Sequence, residues 1–565
     1  MANTDTPSTG KSPLARILQV MKMEREEITS VYLYAVLNGV IQLSLPLGIQ
    51  SIISFVLGGS ISTSLVILIM LVVTGVFFTG LVQVNQMRII EKVQQKVFVR
   101  YAFEYAYRLP KLDLKSVDKY YLPETVNRFF DTVSLQKGIA KLLLEFPSAS
   151  IQIFFGLILL SFYHPFFIAF SFTIIALLIA IIYFSGSKGL ETSIRESEYK
   201  YGVVAWLEEL ARLVPSFKFS KGNPLNLRRT DSLVNGYLEA RTSHFRILQF
   251  QYWTLIGFKV IITAVMLVVG SLLLINQQLN IGQFIAAEIV ILLVLNSVEK
   301  IIINLDKVYD ILTSVDKLGK IIDSPLEAEG GIRLLPSSTG LHISLRDLSF
   351  ELSGKSVLTG VTLDVPAGSK VAVTGHDGSG KSTLLRMLSG VFTDYKGSFL
   401  INNIPMRDYQ LAPYRHQTGI LLSQQDIFFG TLLENITMGD ETIHPEEIIK
   451  LVERIGLVEF MQEEGFGFSS VLDPLGKRLS RSVIQKILLL RAMINEPRLL
   501  LLEDPWRGLD DVNRLRIQDY IIEGCSDTTV FVESNDREFA SRADIVCCFR
   551  EGALVYAGPW KEGLL

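Results

Sequence analysis

Lys370-Val371-Ala372-Val373-Thr374-Gly375-His376-Asp377-Gly378-Ser379-Gly380-Lys381-Ser382 decides the fold of the C-terminal part of this chain. Its apolar start, Lys370 to Thr374, reads as a buried strand, and Ser382 to Leu388 (STLLRML) reads as a helix. The segment between them fits G-x-x-x-x-G-K-S, the pattern of a phosphate-binding loop. Such a loop turns backbone N–H groups inward around phosphate oxygens, and the following helix N-terminus adds a favourable partial charge. Gly375, Gly378 and Gly380 allow that close approach. His376, Asp377, Ser379 and Thr383 complete the cradle. Lys381 is expected on the β/γ-phosphates, and the Ser382 hydroxyl on Mg²⁺.

Leu499-Leu500-Leu501-Leu502-Glu503-Asp504 is the second decisive stretch. Four apolar residues make a buried strand, and two acids stand at its C-terminal end. In P-loop proteins that position carries the acid associated with Mg²⁺. Between and around these motifs strand-like and helix-like segments alternate, as an α/β domain requires.

The N-terminal part reads differently. The chain has 565 residues, too many for one core, with 49% hydrophobic and 20% charged residues. No charge occurs between Glu27 and Arg88, a window holding two apolar runs, 31–57 and 63–84. A second uncharged window, 146–187, is split by His164-Pro165, and a third pair of runs covers 249–275 and 281–303. Each run can cross ~30 Å of hydrocarbon as a helix. Six spans are expected, with a kink at Pro46 in the first. The short connections at 58–62, 163–165 and 276–280 carry no Lys or Arg. The long ones hold Arg88, Lys92, Lys96, Arg100, Arg108, Lys111 and Lys115, then Lys188, Arg195, Lys200, Arg212, Lys218 and Lys221. Positive charge stays in the cytosol, which predicts a multi-pass protein with both termini cytoplasmic. The long connections read as helical extensions of the spans. Leu14, Ile17, Leu18 and Met21 predict an amphipathic helix on the membrane lipids. Lys259 and Glu288 fall inside spans; a mutual ion pair, or Lys259 reaching to the interface, is the plain reading, and a functional role the other.

Net charge is −3, so nothing global points to nucleic acid. Cys525, Cys547 and Cys548 read as reduced thiols of a cytosolic domain. The start of the chain has no short apolar core with a cleavage site, so a cleaved signal peptide is not expected. The domain boundaries follow: an amphipathic segment 1–27, the transmembrane domain 28–325, a Gly/Pro/Ser linker 326–340 and the nucleotide-binding domain 341–565.

Paired spans, linker, P-loop and LLLLED together resemble an ATP-binding cassette (ABC) exporter of the half-transporter type, in the type I secretion and peptide-exporter branch. The resemblance covers nearly the whole chain. It implies a six-helix membrane domain followed by an α/β P-loop domain, with ATP and Mg²⁺ as cofactors. It also implies an inner-membrane location and a homodimer, or a heterodimer with another half-transporter. In the family, each ATP lies between one chain's P-loop and the other chain's signature sequence. Peptide or protein cargo and a periplasmic adaptor follow by the same analogy. The coupling helices would fall near Lys115–Tyr121 and Glu208–Phe217.

Motif by motif the match is uneven. Gln424 resembles the glutamine that touches Mg²⁺, with Gln425 as the alternative. Leu479-Ser480-Arg481-Ser482-Val483 stands where the family has L-S-G-G-Q, so only Leu479 and Ser480 match. Glu503 and Asp504 occupy the Asp-Glu pair in swapped order, implying Glu503 near Mg²⁺ and Asp504 as general base. Asp510 matches the loop aspartate of the dimer interface. Asn535 replaces a histidine, and Leu352 falls where an aromatic side chain stacks on adenine. These departures keep a second function open beside the exporter: an ATP-sensing membrane subunit with little hydrolysis.

Overall fold

Backbone groups in hydrocarbon must be satisfied within the chain, which makes helices of long uncharged windows. The computed structural model describes residues 12–58, 63–117, 122–423, 425–463, 465–472 and 479–562. Two compact units result. The first runs to Pro325, apart from a short insertion around Leu114–Val117; that insertion and Leu326–Leu565 form the second.

The first unit is helical: α1 (Pro13–Met23), α2 (Arg25–Gln42), α3 (Ser44–Leu57), α4 (Thr63–Arg108), α5 (Asp131–Tyr163), α6 (Phe166–Arg212), α7 (Leu225–Ile275), α8 (Ile281–Ile303) and α9 (Leu305–Ile322). Among the described residues, six segments are long and apolar enough to cross a membrane. Helices α4, α6 and α7 have 46, 47 and 51 residues. At 1.5 Å per residue they reach roughly 70–77 Å, more than twice the hydrocarbon thickness. The long connections are therefore continuations of the spans. Large side chains on α4 stay uncovered, such as Phe77 at 67% and Met70 at 64% exposure, as suits a lipid-facing surface.

The first span breaks between α2 and α3. Pro46 has no N–H to donate to the carbonyl four residues back, at Gln42, so the helix cannot run through. Helix α1 lays Ile17 and Val20 against the bundle and leaves Leu14 and Leu18 exposed. Its Arg16 pairs with Asp323 beyond α9. Residues 1–11 of the predicted amphipathic segment and 59–62 of the first short connection lie outside the described residues. Farther along, Gln251 Nε2 donates to Ser185 Oγ and Tyr309 Oη, both at 2.9 Å, tying α7, α6 and α9 together. A β-carbon at Gly189 would come within 2.3 Å of the Tyr309 ring, so close packing here needs the glycine.

One expectation is corrected. Lys259 Nζ pairs with Glu299 at 2.5 Å, not with Glu288. The reason is depth. Lys259 lies sixteen residues before the end of α7, and sixteen residues into the antiparallel α8 reaches Ser297, within a turn of Glu299. Glu288 falls roughly 13 Å short of that level. It has no ion pair among the described residues.

The second unit contains two larger sheets. β1 (Ile343–Leu352), β2 (Lys355–Val365), β4 (Lys396–Ile401) and β5 (Ile404–Pro405) pair antiparallel in the order β2-β1-β4-β5. β3 (Lys370–Gly375), β6 (Thr418–Leu421), β9 (Leu499–Glu503), β10 (Thr529–Glu533), β11 (Ile545–Arg550) and β12 (Ala553–Gly558) form the other sheet, in the order β12-β11-β3-β10-β9-β6. All its pairings are parallel except β11 with β12. β7 (Gly430–Thr431) and β8 (Val471–Leu472) make a small ladder. Leu499 to Leu502 are fully buried, as a strand covered on both faces should be. Helices α10 (Lys381–Leu388), α11 (Pro445–Ile455), α12 (Arg481–Met493) and α13 (Asp511–Asp519) belong to this unit. Of the segments matched to coupling helices, Leu114–Val117 is one helical turn whose Lys115 pairs with Asp394 at 2.5 Å, and 118–121 lie outside the described residues. The other falls where α6 ends and a turn at Val214–Lys218 begins.

The Lys259–Glu299 pair is open to a double-mutant cycle read by thermal unfolding of the purified chain. Lys259→Met and Glu299→Met should each destabilise, with a coupling of about 1 kcal/mol between them. Glu288→Gln should show no coupling to Lys259→Met.

Candidate nucleotide site

A loop that approaches phosphate needs room for backbone and a charge to meet the ligand. Gly375 closes β3 at φ 139°, and a β-carbon there would fall 2.3 Å from the Phe549 carbonyl oxygen. Gly380 precedes α10 at φ 99°, where a β-carbon would meet the Val357 carbonyl oxygen at 2.9 Å. Both positions therefore accept only glycine without strain. His376, Asp377 and Gly378 form the exposed tip, and Ser382 and Thr383 are half-buried on the first turn of α10. Lys381 is buried, and its Nζ donates to the Gly375 and His376 carbonyls at 2.7 and 2.9 Å. Among the described residues neither the buried Ser379 Oγ nor the Ser382 Oγ has a hydrogen-bond partner. An ammonium, two unpartnered hydroxyls and a glycine-lined loop fit a polyphosphate.

Glu503 and Asp504 arrive together at the end of β9. Glu503 is 7% exposed; its two oxygens accept from Ser423 Oγ and Ser423 N–H, each at 3.0 Å. Asp504 is exposed and left-handed, at φ 45°. Its N–H donates to the Glu533 carbonyl at 3.0 Å, and its own carbonyl accepts from Gln485 Nε2 at 3.3 Å. Gln485 also reaches the Pro505 carbonyl at 3.1 Å, so the turn after β9 is held from α12. Displacement of water by surrounding protein pushes the Asp504 carboxyl up; the Arg507 charge opposes the rise and the Glu503 charge adds to it. Among the described residues no three His, Cys, Asp or Glu side chains are placed to hold a metal. Mg²⁺ would rely on Ser382, Glu503 and phosphate oxygens, the hard donors it prefers.

Other predicted residues are engaged elsewhere. Asn535 Oδ1 accepts from Gly375 N–H at 3.1 Å, and its Nδ2 donates to the Gly375 carbonyl at 3.3 Å. Its amide clamps the start of the loop. Gln424 lies outside the described residues. Gln425 uses its side-chain oxygen on Leu422 N–H, at 3.3 Å. Ser480 caps α12 by accepting from Val483 N–H at 3.3 Å. Arg481 opens that helix exposed, with no polar partner among the described residues. Asp510 caps α13, accepting from Asn513 N–H and Nδ2 at 2.8 and 2.7 Å. Leu352 is half-buried against the antiparallel sheet, and nearby Phe350 is buried against Phe392. The three cysteines are free, and burial pushes the Cys525 and Cys547 thiols up to about 11 and about 12, which keeps them protonated.

Three residues of this site escape motif reading: Ser423, Gln485 and Glu533. For Glu533 a signal exists. Thr529-Val530-Phe531-Val532-Glu533 repeats the apolar-strand-then-acid pattern of LLLLED.

With the geometry in place, the comparisons with known proteins agree. The chain matches the ABC transporter transmembrane region over residues 30–298 and the ABC transporter domain over residues 358–507. It belongs to the ABC transporter family and is a multi-pass membrane protein. It is similar to the alpha-hemolysin translocation ATP-binding protein HlyB of Escherichia coli O157:H7, 25% identical over 63% of this chain and 51% of the relative. It is also similar to the leukotoxin export ATP-binding protein LtxB of Aggregatibacter actinomycetemcomitans, 27% identical over 54% of this chain and 44% of that one. An ATP-dependent lipid A-core flippase of Francisella tularensis subsp. holarctica (strain OSU18) is 27% identical over 50% of this chain and 46% of the flippase. The matches thus span about half the length of these curated relatives. The solved structure of a bacterial Atm1-family ABC exporter with ATP bound shares the fold, with TM-score 0.83 and 17% identity over 95% of each chain.

The Asn535 clamp yields a measurement. Asn535→Ala removes the side-chain acceptor of the Gly375 N–H, leaves Lys381 as the side-chain donor to its carbonyl, and should weaken nucleotide affinity roughly three- to tenfold. Titration with a fluorescent ATP analogue reads this directly; unchanged affinity would mean that the clamp does not shape the loop.

Proposed function

We propose that this chain is one half of an ATP-driven exporter of the inner membrane, with both termini in the cytosol. The observation that carries the reading is that β3, which runs into the Lys381 loop, and β9, which ends in Glu503-Asp504, flank β10 in parallel and at one level, in a chain with six apolar membrane-length segments among the described residues. Two chains, identical or one paired with another half-transporter, would place each ATP between one P-loop and the other chain's Ser480. The names of HlyB and LtxB support a peptide or protein cargo, with a periplasmic adaptor as partner; the lipid A-core flippase makes a lipid the competing cargo class.

Bound Mg²⁺ would offset the charge of the phosphates. The chain's own residues supply the rest. Lys381 and the loop amides hold the β/γ-phosphates, with Gly375 through Thr383 as the cradle. Ser382, Glu503 and Gln424 are the proposed metal contacts. Asp504 accepts the proton of the attacking water, and Asn535 acts by fixing Gly375. Asp504 is one methylene shorter than the usual glutamate, which withdraws its carboxylate by about one C–C bond. General-base catalysis is worth about 10²–10⁴-fold, so a misplaced base makes turnover slow. An ATP sensor with little hydrolysis is the second reading. It is favoured by the engagement of both Asn535 polar atoms and by the exposed Arg481 in the signature stretch.

ATPase assays of the purified chain in nanodiscs separate the two. The exporter reading expects slow Mg²⁺-dependent turnover, abolished by Lys381→Ala and Asp504→Asn. Asp504→Glu, which restores the methylene, should raise turnover about tenfold or more. Saturable ATP binding with no turnover, unchanged in Asp504→Glu, would replace the exporter with the sensor.

A further inference from the structure

Parallel pairing places the ends of adjacent strands at one level. β10 lies between β3 and β9, with Glu533 level with Val373 on one side and Glu503 on the other. An acid at this strand end stands between the phosphate loop and the Glu503-Asp504 pair. Its side chain is 15% exposed, and Oε1 lies 3.5 Å from Lys381 Nζ. Lys381 thus has two loop carbonyls and one carboxylate around its ammonium. Burial pushes the Glu533 carboxyl up, while the Lys381 charge opposes the rise. Ser423 already engages both oxygens of Glu503, so Glu503 is held back from Lys381 while Glu533 reaches it.

We propose that Glu533 is a positioning residue that makes this site selective for metal-bound over metal-free nucleoside triphosphate. Its carboxylate competes with phosphate for Lys381. Once Lys381 turns to phosphate, the carboxylate stands unpaired beside a polyanion. A divalent cation on the triphosphate offsets that repulsion; a metal-free triphosphate has nothing to offset it. This rests on the reading of the loop as an ATP site.

The test uses the full chain in nanodiscs and a fluorescent ATP analogue, titrated in Mg²⁺ and in EDTA. Glu533→Gln keeps the shape and removes the charge. It should tighten binding in EDTA about tenfold, the factor that about 1.4 kcal/mol represents, and alter binding in Mg²⁺ by less than about threefold. Glu533→Leu, a second uncharged variant, should move the ratio of the two affinities in the same direction. Equal shifts in both conditions, or a ratio unchanged in both variants while wild type binds, would overturn the role of Glu533 alone. Variants that no longer fold would make Glu533 a structural residue and overturn it as well. Wild type without saturable binding in either condition would instead overturn the nucleotide site itself.

Discussion

The hydrogen-bonded seating of β10 between β3 and β9 is the constraint on which the nucleotide site depends. Side chains alternate faces along a strand, so a slip of one residue would turn Glu533 and Glu503 to the opposite sides of their sheet. The buried Val371, Val373, Leu499, Leu501 and Phe531 hold the register, because any slip would carry apolar side chains out of the core. The strand ends are therefore rigid. Glu533 and Lys381 meet there because the core fixes them, with Glu503 at the neighbouring strand end.

In the membrane region the balance differs. Lipid tails are as apolar as the side chains facing them, so burial of apolar surface gives little drive for helix association. Close contacts at Gly189 and Gly156 and polar contacts such as Gln251 with Ser185 and Tyr309 take on the task. Antiparallel helices match their residues by depth. That rule selects Glu299 over Glu288 for Lys259.

Several departures from the family pattern come with local attachments. Asn535 is fastened to Gly375, and the turn at Asp504 is fastened to Gln485. A carbonyl pinned by Gln485 sets the direction in which the shortened Asp504 carboxylate leaves the backbone. Arg481 is different. It opens α12 exposed and without a polar partner among the described residues. Ser480 shapes the same corner by capping the helix, a role any serine at a helix start can fill.

The sequence by itself determined the phosphate loop, the buried strand that ends in Glu503, the six apolar segments and their long helical continuations. Each is written in neighbouring residues, as glycine spacing, apolar periodicity or an uncharged run, and local physics suffices to read it. Only the tertiary structure decided that Glu533 faces Lys381, that Ser423 holds Glu503, that Asn535 clamps Gly375 and that Lys259 pairs with Glu299. Asn535 and Gly375 stand 160 residues apart, Ser423 and Glu503 80 apart. Contacts across such distances follow from strand order and helix depth, which the packing of the whole core settles and no short stretch of chain encodes.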